Sequence, residues 1–274
     1  MVRICEFTCL KEIKLFLGAD PEVFMQDAAE AFISAIGIVD GTKQKPAQLP
    51  IGDGFAVQQD NVAVEFNIPP ADSKQQFINN IQRAMSFLSD EVAKHGCHFV
   101  NVSATDKFDQ LALMHPLALE FGCDPDFNAW QRGRANPRPR ATNTALRSCG
   151  GHVHVGYEFK GKQDMLRFVK YLDLLLGVPA KIMDHGKERM QLYGKMGAHR
   201  PKPYGVEYRV LSNFWIFDEK YTGWVWDATH DAINRFEANS IDIDSEEPQI
   251  TEAINNNNMD AVNSLVHRYN LMVV

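Results

Sequence analysis

Four short stretches alternate between apolar and polar positions, and each sets two polar side chains two residues apart. They are Gly-Ala-Asp-Pro-Glu-Val-Phe with Asp20 and Glu22, Val-Ala-Val-Glu-Phe-Asn with Glu65 and Asn67, Gly-Gly-His-Val-His-Val-Gly with His152 and His154, and Gly-Val-Glu-Tyr-Arg-Val with Glu207 and Arg209. Residues two apart on a strand point the same way. A sheet that packs Val23, Val62, Val64, Val153, Val155, Val206 and Val210 on helices therefore leaves the acids, histidines and arginine together on its other face. That face is expected to be concave and ionic.

The pattern between these stretches assigns the remaining elements. Ile13 to Met25 and Ala31 to Val39 read as strands, and a Gly/Pro-studded loop from Asp40 to Gly54 follows. Phe55 to Ile68 reads as a hairpin about Asp60-Asn61. From Asp72 the period becomes helical, with Phe77, Ile81, Met85, Leu88 and Val92 on one face, a Ser73/Gln76 capping box and Gly96 as the stop. Asp124 to Gly151, which carries Arg132, Arg134, Arg138, Arg140 and Arg147, reads as a long loop; such loops in compact domains are usually functional or mobile. A strand from His152 to Tyr157, a helix from Gln163 to Leu176 ended by Gly177, a basic loop from Gly194 to Pro203 and a strand from Val206 to Phe214 complete the middle of the chain. The remainder reads as helical, with an acidic and Asn-rich break between Ile241 and Asn258.

Composition narrows the function classes. The 274 residues are 45% hydrophobic and 23% charged, as expected of a globular chain with a large core. Acids outnumber bases 35 to 28, giving a formal charge of -7, which argues against a partner bound by neutralising nucleic-acid phosphates. No apolar run approaches the roughly 18 residues of a membrane span and the N-terminus lacks an apolar signal core, so a cytoplasmic protein is expected. Cys5, Cys9, Cys97, Cys123 and Cys149 are an odd set without a CxxC pair and read as reduced thiols.

Clustered carboxylates repel one another unless cations sit among them. A carboxylate-rich site with histidine suits Mg or Mn, whereas zinc more often takes histidine or cysteine with few acids. Taken singly, each pair has an ordinary reading: a solvated acid, a solvent-facing histidine, or a surface ion pair of small energetic value between Glu207 and Arg209. Their occurrence together, on four strands with apolar alternates, favours a site.

The same motifs, with Tyr-Gly-Val-Glu-Tyr-Arg-Val-Leu-Ser-Asn-Phe-Trp, resemble the phage COOH-NH2 ligase type 2 proteins, a branch of the glutamine synthetase and glutamate-cysteine ligase superfamily. The resemblance runs from about Phe16 to Trp215. It implies one α+β catalytic domain over residues 1–274, an antiparallel sheet curved into a half-barrel funnel with helices on its convex face. It further implies ATP with Mg or Mn, and ligation of a small or peptide-like carboxylate to an amine through an acyl phosphate, with ADP and phosphate as products. Asp20 and Glu22 resemble the acid-x-acid pair of the first funnel strand, where the first acid is Glu in many relatives; Glu65 resembles a further metal-binding glutamate, with Asp60 near it or simply in the turn. His152 matches the metal-binding histidine and His154 the one that approaches the nucleotide phosphates. Glu207 resembles a metal-binding acid and Arg209 the arginine that neutralises the transferring phosphate or the substrate, while Arg189, Tyr193, Lys195 and Arg200 resemble the basic loop on ATP. No substrate signature is legible, and the loop from Gly122 to Asn128 has no assignable role.

Three rivals share these residues: a metal-dependent hydrolase, a guanidino-kinase-like phosphotransferase and a non-enzymatic binding protein with a decayed site. The basic cluster from Arg189 to Arg200 favours the ligase over the hydrolase, since amide hydrolysis needs no nucleotide. The sequence leaves the oligomeric state open.

Overall fold

The computed structural model describes residues 15–119 and 126–274. Ile13, Cys5, Cys9, Cys123 and residues 124 and 125 of the long basic loop lie outside them. The architecture is mixed: a twelve-stranded antiparallel sheet with helices against it. Its main path runs Arg134–Ala135, Phe127–Asn128, Ala198–Lys202, Gly205–Tyr208, Val153–Gly156, Phe16–Ala19, Ala63–Ala71, Glu22–Asp27 and Phe32–Ile33. Ala56–Asp60 pairs with Ala63–Ala71, and Cys97–Val100 pairs with Glu22–Asp27.

Alternation decides which face is dry. Leu17, Val23, Val64, Phe66, Val153, Val155, Val206 and Tyr208 are buried in one apolar cluster whose members run from Leu15 to Leu271. Burying side chains of this size contributes roughly 1.5–3 kcal/mol each. The helix Lys74–Ala93 supplies Phe77, Ile81, Leu88 and Val92 to that cluster and packs on Ala63–Ala71. Its Ser73 cap accepts from the Gln76 amide, while the Gln76 side chain reaches back to Asp72, one residue short of a reciprocal box. The helix Lys162–Leu172 packs on Gly205–Tyr208.

Several local expectations need correction. The hairpin turns at Asn61-Val62, because Asp60 still pairs with Ala63, and Asn61 takes the left-handed conformation (φ 57°). Ala31–Val39 contributes only Phe32–Ile33 as strand before turning. The basic loop that ends at Pro203 contains a strand, Ala198–Lys202; Pro201 fits because the neighbour on its outer side pairs only with Ala198 and His199. The strand from Val206 stops at Tyr208, and Ser212 caps a 3-10 turn, Asn213–Phe217, that buries Trp215. The acidic stretch after Ile241 holds a further helix, Glu247–Ile254, whose Ile250, Ala253 and Ile254 are buried. Within the long loop, Arg132, Arg134, Arg138 and Arg140 are exposed, but Arg147 is buried and donates to Asn61 Oδ1 at 2.9 Å and to the Thr144 carbonyl at 2.8 Å.

Gly177 does not end its helix. A π-helical turn, Asp173–Gly177, leads directly into the helix Val178–Met183. A Cβ on Gly177 would stand 2.7 Å from the Tyr208 hydroxyl, so the missing side chain serves close packing. Asp173, fully buried in that turn, accepts from Trp130 Nε1 (2.6 Å), the Gly197 amide (2.7 Å) and the Tyr208 hydroxyl (2.9 Å). It thereby ties one strand and two turns to the helix layer. Asp173→Ala would strand three buried donors at roughly 1–3 kcal/mol apiece. Urea unfolding should show a loss of several kcal/mol; a loss near zero would mean the donors find new partners.

Candidate functional site

Register brings the polar pairs into one ionic surface. Gly18 pairs with His154, His154 with Glu207, and Glu207 with Arg200, a row across four strands. On the other side of the first strand, Glu22 pairs with Glu65 and Glu65 with Gln58. Gly150 admits this crossing. Its amide donates to Glu22 Oε2 at 2.6 Å, and a Cβ there would sit 2.3 Å from His152 Nε2.

Two ligand-rich groups result. Asp20, His152 and Glu207 each offer an atom within 4.8 Å of the others, and so do Glu22, Asp60 and Glu65. Asp20 Oδ1 lies 3.1 Å from His154 Nε2 and 3.3 Å from His152 Nδ1, and His152 Nδ1 lies 3.8 Å from Glu207 Oε1. Cations surround Glu207: Arg200 donates to both its oxygens at 3.1 and 3.0 Å, Lys202 Nζ stands at 2.7 Å, and Arg209 donates to Oε1. Arg209 also reaches Asp126 at 3.9 Å. The Tyr204 hydroxyl is 2.7 Å from His154 Nδ1.

The electrostatics divide the two groups. Burial opposes ionisation of Asp20, but His154 and then His152 hold its carboxyl well below the usual range. Burial and Asp20 work against Glu207, yet Arg209 and the histidines bring it down to about 2. Burial, then the Arg209 charge, lowers His152 to about 4; Asp20 outweighs burial at His154 and raises it. In the second group burial, then the neighbouring Asp60, pushes Glu22 up to about 7, and the same causes with Asp20 and Glu22 push Glu65 well above its ordinary value. Gln58 Nε2 donates to Glu65 at 2.7 Å. A group of buried acids that resists ionisation although Lys43, Arg189 and Arg209 offset part of its charge matches the chemistry of a divalent-cation site. Asp20 Oδ1 and His154 Nε2 are moreover buried without an aligned hydrogen bond, despite their 3.1 Å approach. The donor set fits Mg or Mn.

The expected site residues thus separate into those brought together and those set apart. Asp20, Glu22, Glu65, His152, His154, Arg200, Glu207 and Arg209 share the ionic surface. Arg189 and Tyr193 line the small cavity beside Glu22, Asp60 and Arg209, but the buried Arg189 guanidinium donates to the Val210 carbonyl at 2.8 Å and the Arg209 carbonyl at 3.3 Å. It holds the backbone under Arg209. Lys195 is exposed and lines a neighbouring cavity with Arg138. Sequence reasoning missed Lys202, Tyr204, Gln58 and Asp126. Lys202 and Gln58 carried a signal, being two residues from Arg200 and Asp60 on strands; Tyr204 and Asp126 carried none, since a turn and a loop place them.

Residues 141–272 match the family model of the phage phiEco32-like COOH.NH2 ligase-type 2 proteins, as the motif resemblance had indicated. His152, His154, Arg189, Arg200, Glu207 and Arg209 lie within the match, and Asp20, Glu22 and Glu65 precede it. No curated protein sequence matches the chain. Among solved structures, one described as the crystal structure of a novel glutamine synthase homolog is similar at 10% identity and a TM-score of 0.35, covering 93% of this chain. The chain spans 66% of that protein's length. No helix among the described residues is long and apolar enough to cross a membrane.

Proposed function

We propose, taking as premise that residues 141–272 belong with the COOH.NH2 ligase-type 2 proteins, that this chain is an ATP-dependent carboxylate–amine ligase. One observation carries the reading: two acid-rich groups stand on one sheet face beside the cations Arg200, Lys202 and Arg209. A carboxylate is a poor acyl donor, because oxide is a poor leaving group. Transfer of the γ-phosphoryl of ATP converts it to an acyl phosphate that an amine can attack, releasing phosphate and leaving ADP.

In this reading Asp20, His152 and Glu207 hold one Mg or Mn, and Glu22 and Glu65 with Asp60 hold another. Bound there, such ions supply positive charge to the ATP phosphate oxygens. The chain's own residues do the rest. Arg209 and Arg200, fixed on Glu207, present N–H groups where negative charge develops, and His154, held by Tyr204, approaches the phosphates. Lys195 and Tyr193 sit at the margin as further phosphate contacts, and Arg189 acts by holding Arg209. The sheet then acts as an open half-barrel funnel lined by its ionic face. The substrates are a small or peptide-like carboxylate and an amine; no nucleic acid is expected as a charge-driven partner, and no membrane is expected as a partner.

The test uses hydroxylamine as surrogate amine with Mg-ATP and a panel of carboxylic acids. A productive acid should give a hydroxamate with one ADP released per product. Finding AMP instead would refute the acyl phosphate, and hydroxamate without nucleotide would indicate a hydrolase running in reverse.

A further inference from the structure

A second cavity of about 510 Å³ opens beside the strand Ala198–Lys202. His199 alternates with Arg200 and so faces away from the acid groups. The cavity wall carries Phe127, Tyr157, Phe159 and Met165, an apolar and largely aromatic lining. Besides Lys202 and the exposed carboxylate of Glu158, two polar features line it. His199 is fully buried, and its Nδ1 lies 2.9 Å from the Gly197 carbonyl oxygen. A carbonyl only accepts, so Nδ1 carries the proton; burial keeps the ring neutral, leaving a lone pair on Nε2. Nε2 is buried and has no hydrogen-bond partner; the Phe127 backbone borders the ring outside bonding geometry.

The other feature is the start of the helix Lys162–Leu172. Gly161 stands at its N-cap, where no side chain satisfies the first amides. Asp164 is turned away, accepting from the Lys160 amide at 3.1 Å and meeting Arg167 at 3.6 Å. Lys162 lines the cavity, close enough for its charge to act on the His199 ring.

We propose that this cavity is a second ligand site, taking a planar apolar molecule that carries a phosphate monoester. The helix amides and Lys162 call for an anion, whereas the His199 lone pair calls for a donor. A phosphate monoester monoanion meets both, because it keeps one P–OH; a sulfate ester has the charge without the donor. Lys202 also lines the cavity while its amine stands 2.7 Å from Glu207, so an occupant competes for a cation of the acid site. The inference holds whether or not the ligase reading does.

Calorimetry with 1-naphthyl phosphate and 1-naphthyl sulfate on the full chain tests it, with Lys162→Gln assigning the binding to this cavity. The phosphate should bind saturably and about tenfold more tightly than the sulfate, a ratio set by one stranded acceptor. Its affinity should fall as pH rises from about 6 to 8 and the P–OH is lost. Lys162→Gln, an exposed substitution, should weaken the phosphate by a similar factor. Equal affinity for the two esters, or no saturable binding of either, would overturn the proposal with no variant needed; an unchanged affinity in Lys162→Gln would place the binding outside this cavity and overturn it as well.

Discussion

Glu207→Gln is expected to lower ADP release by about three orders of magnitude, comparable to losing a principal charge-stabilising group in other active sites. Glu207 is fully buried, accepts from Arg200 and Arg209 and pairs with Lys202. Removing its charge loosens the arginines and weakens the Asp20–His152 group. Glutamine keeps the volume, so this loss should come with a modest drop in melting temperature. Glu207→Ala should instead unfold much of the protein, since it leaves Arg200, Lys202 and Arg209 crowded without a counter-charge, a defect that typically costs 3–5 kcal/mol. Steady-state rates and thermal melts of both variants separate the effects. Near-parental turnover in Glu207→Gln would end the assignment of this residue to the site.

The second large effect is a pH dependence of the metal-free protein. Burial and then Asp60 raise Glu22 from 4.5 to about 7. The folded state therefore holds this proton more tightly than the unfolded state. The associated stability is fully present below about pH 4.5 and declines as pH rises to about 7. For a half-buried group partly screened by water, the decline is on the order of 2 kcal/mol. Wild type and Glu22→Gln, unfolded in urea without metal, should therefore diverge with rising pH, the variant gaining relative stability as pH passes from 4.5 to 7. Millimolar Mg should restore the wild type more at pH 8 than at pH 5.5, because a cation competes with the protons. A constant difference between the two proteins across this range would show that Glu22 does not carry the strain.

The period-two pattern carried most of this site. Asp20, Glu22, Glu65, His152, His154, Glu207 and Arg209 were legible because each sits on a strand or next to its end, in a stretch whose alternates are apolar, and the antiparallel register gathers them. Spacing within one strand says nothing about which strand lies next. The division into two acid groups was thus hidden, since the strand order places Glu22 and Glu65 on one side of Phe16–Ala19 and Glu207 on the other. The Lys74–Ala93 helix was legible through its apolar face and cap, whereas Gly177 misled because a glycine needed for close packing looks, in sequence, like a helix stop. Arg189 misled for a related reason: a basic residue among polar neighbours reads as a phosphate contact, but burial commits it to carbonyls.

The pairing of Phe16–Ala19 with Val153–Gly156 also bears on how the molecule assembles. Ala63–Ala71 lies close in sequence to the first strand, so that pairing closes a short loop. The pairing that sets Asp20 beside His152 must bring together segments on opposite sides of the long middle of the chain, and its closure entropy is paid before its contacts form. The Glu22–Asp60–Glu65 group can thus come together early from the first third of the chain, whereas the Asp20–His152–Glu207 group waits for the last strands to dock. A cation bound by the Asp20–His152–Glu207 group would then be absent from the folding barrier. It would act as a late clamp that lengthens the lifetime of the finished protein and leaves its rate of formation unchanged.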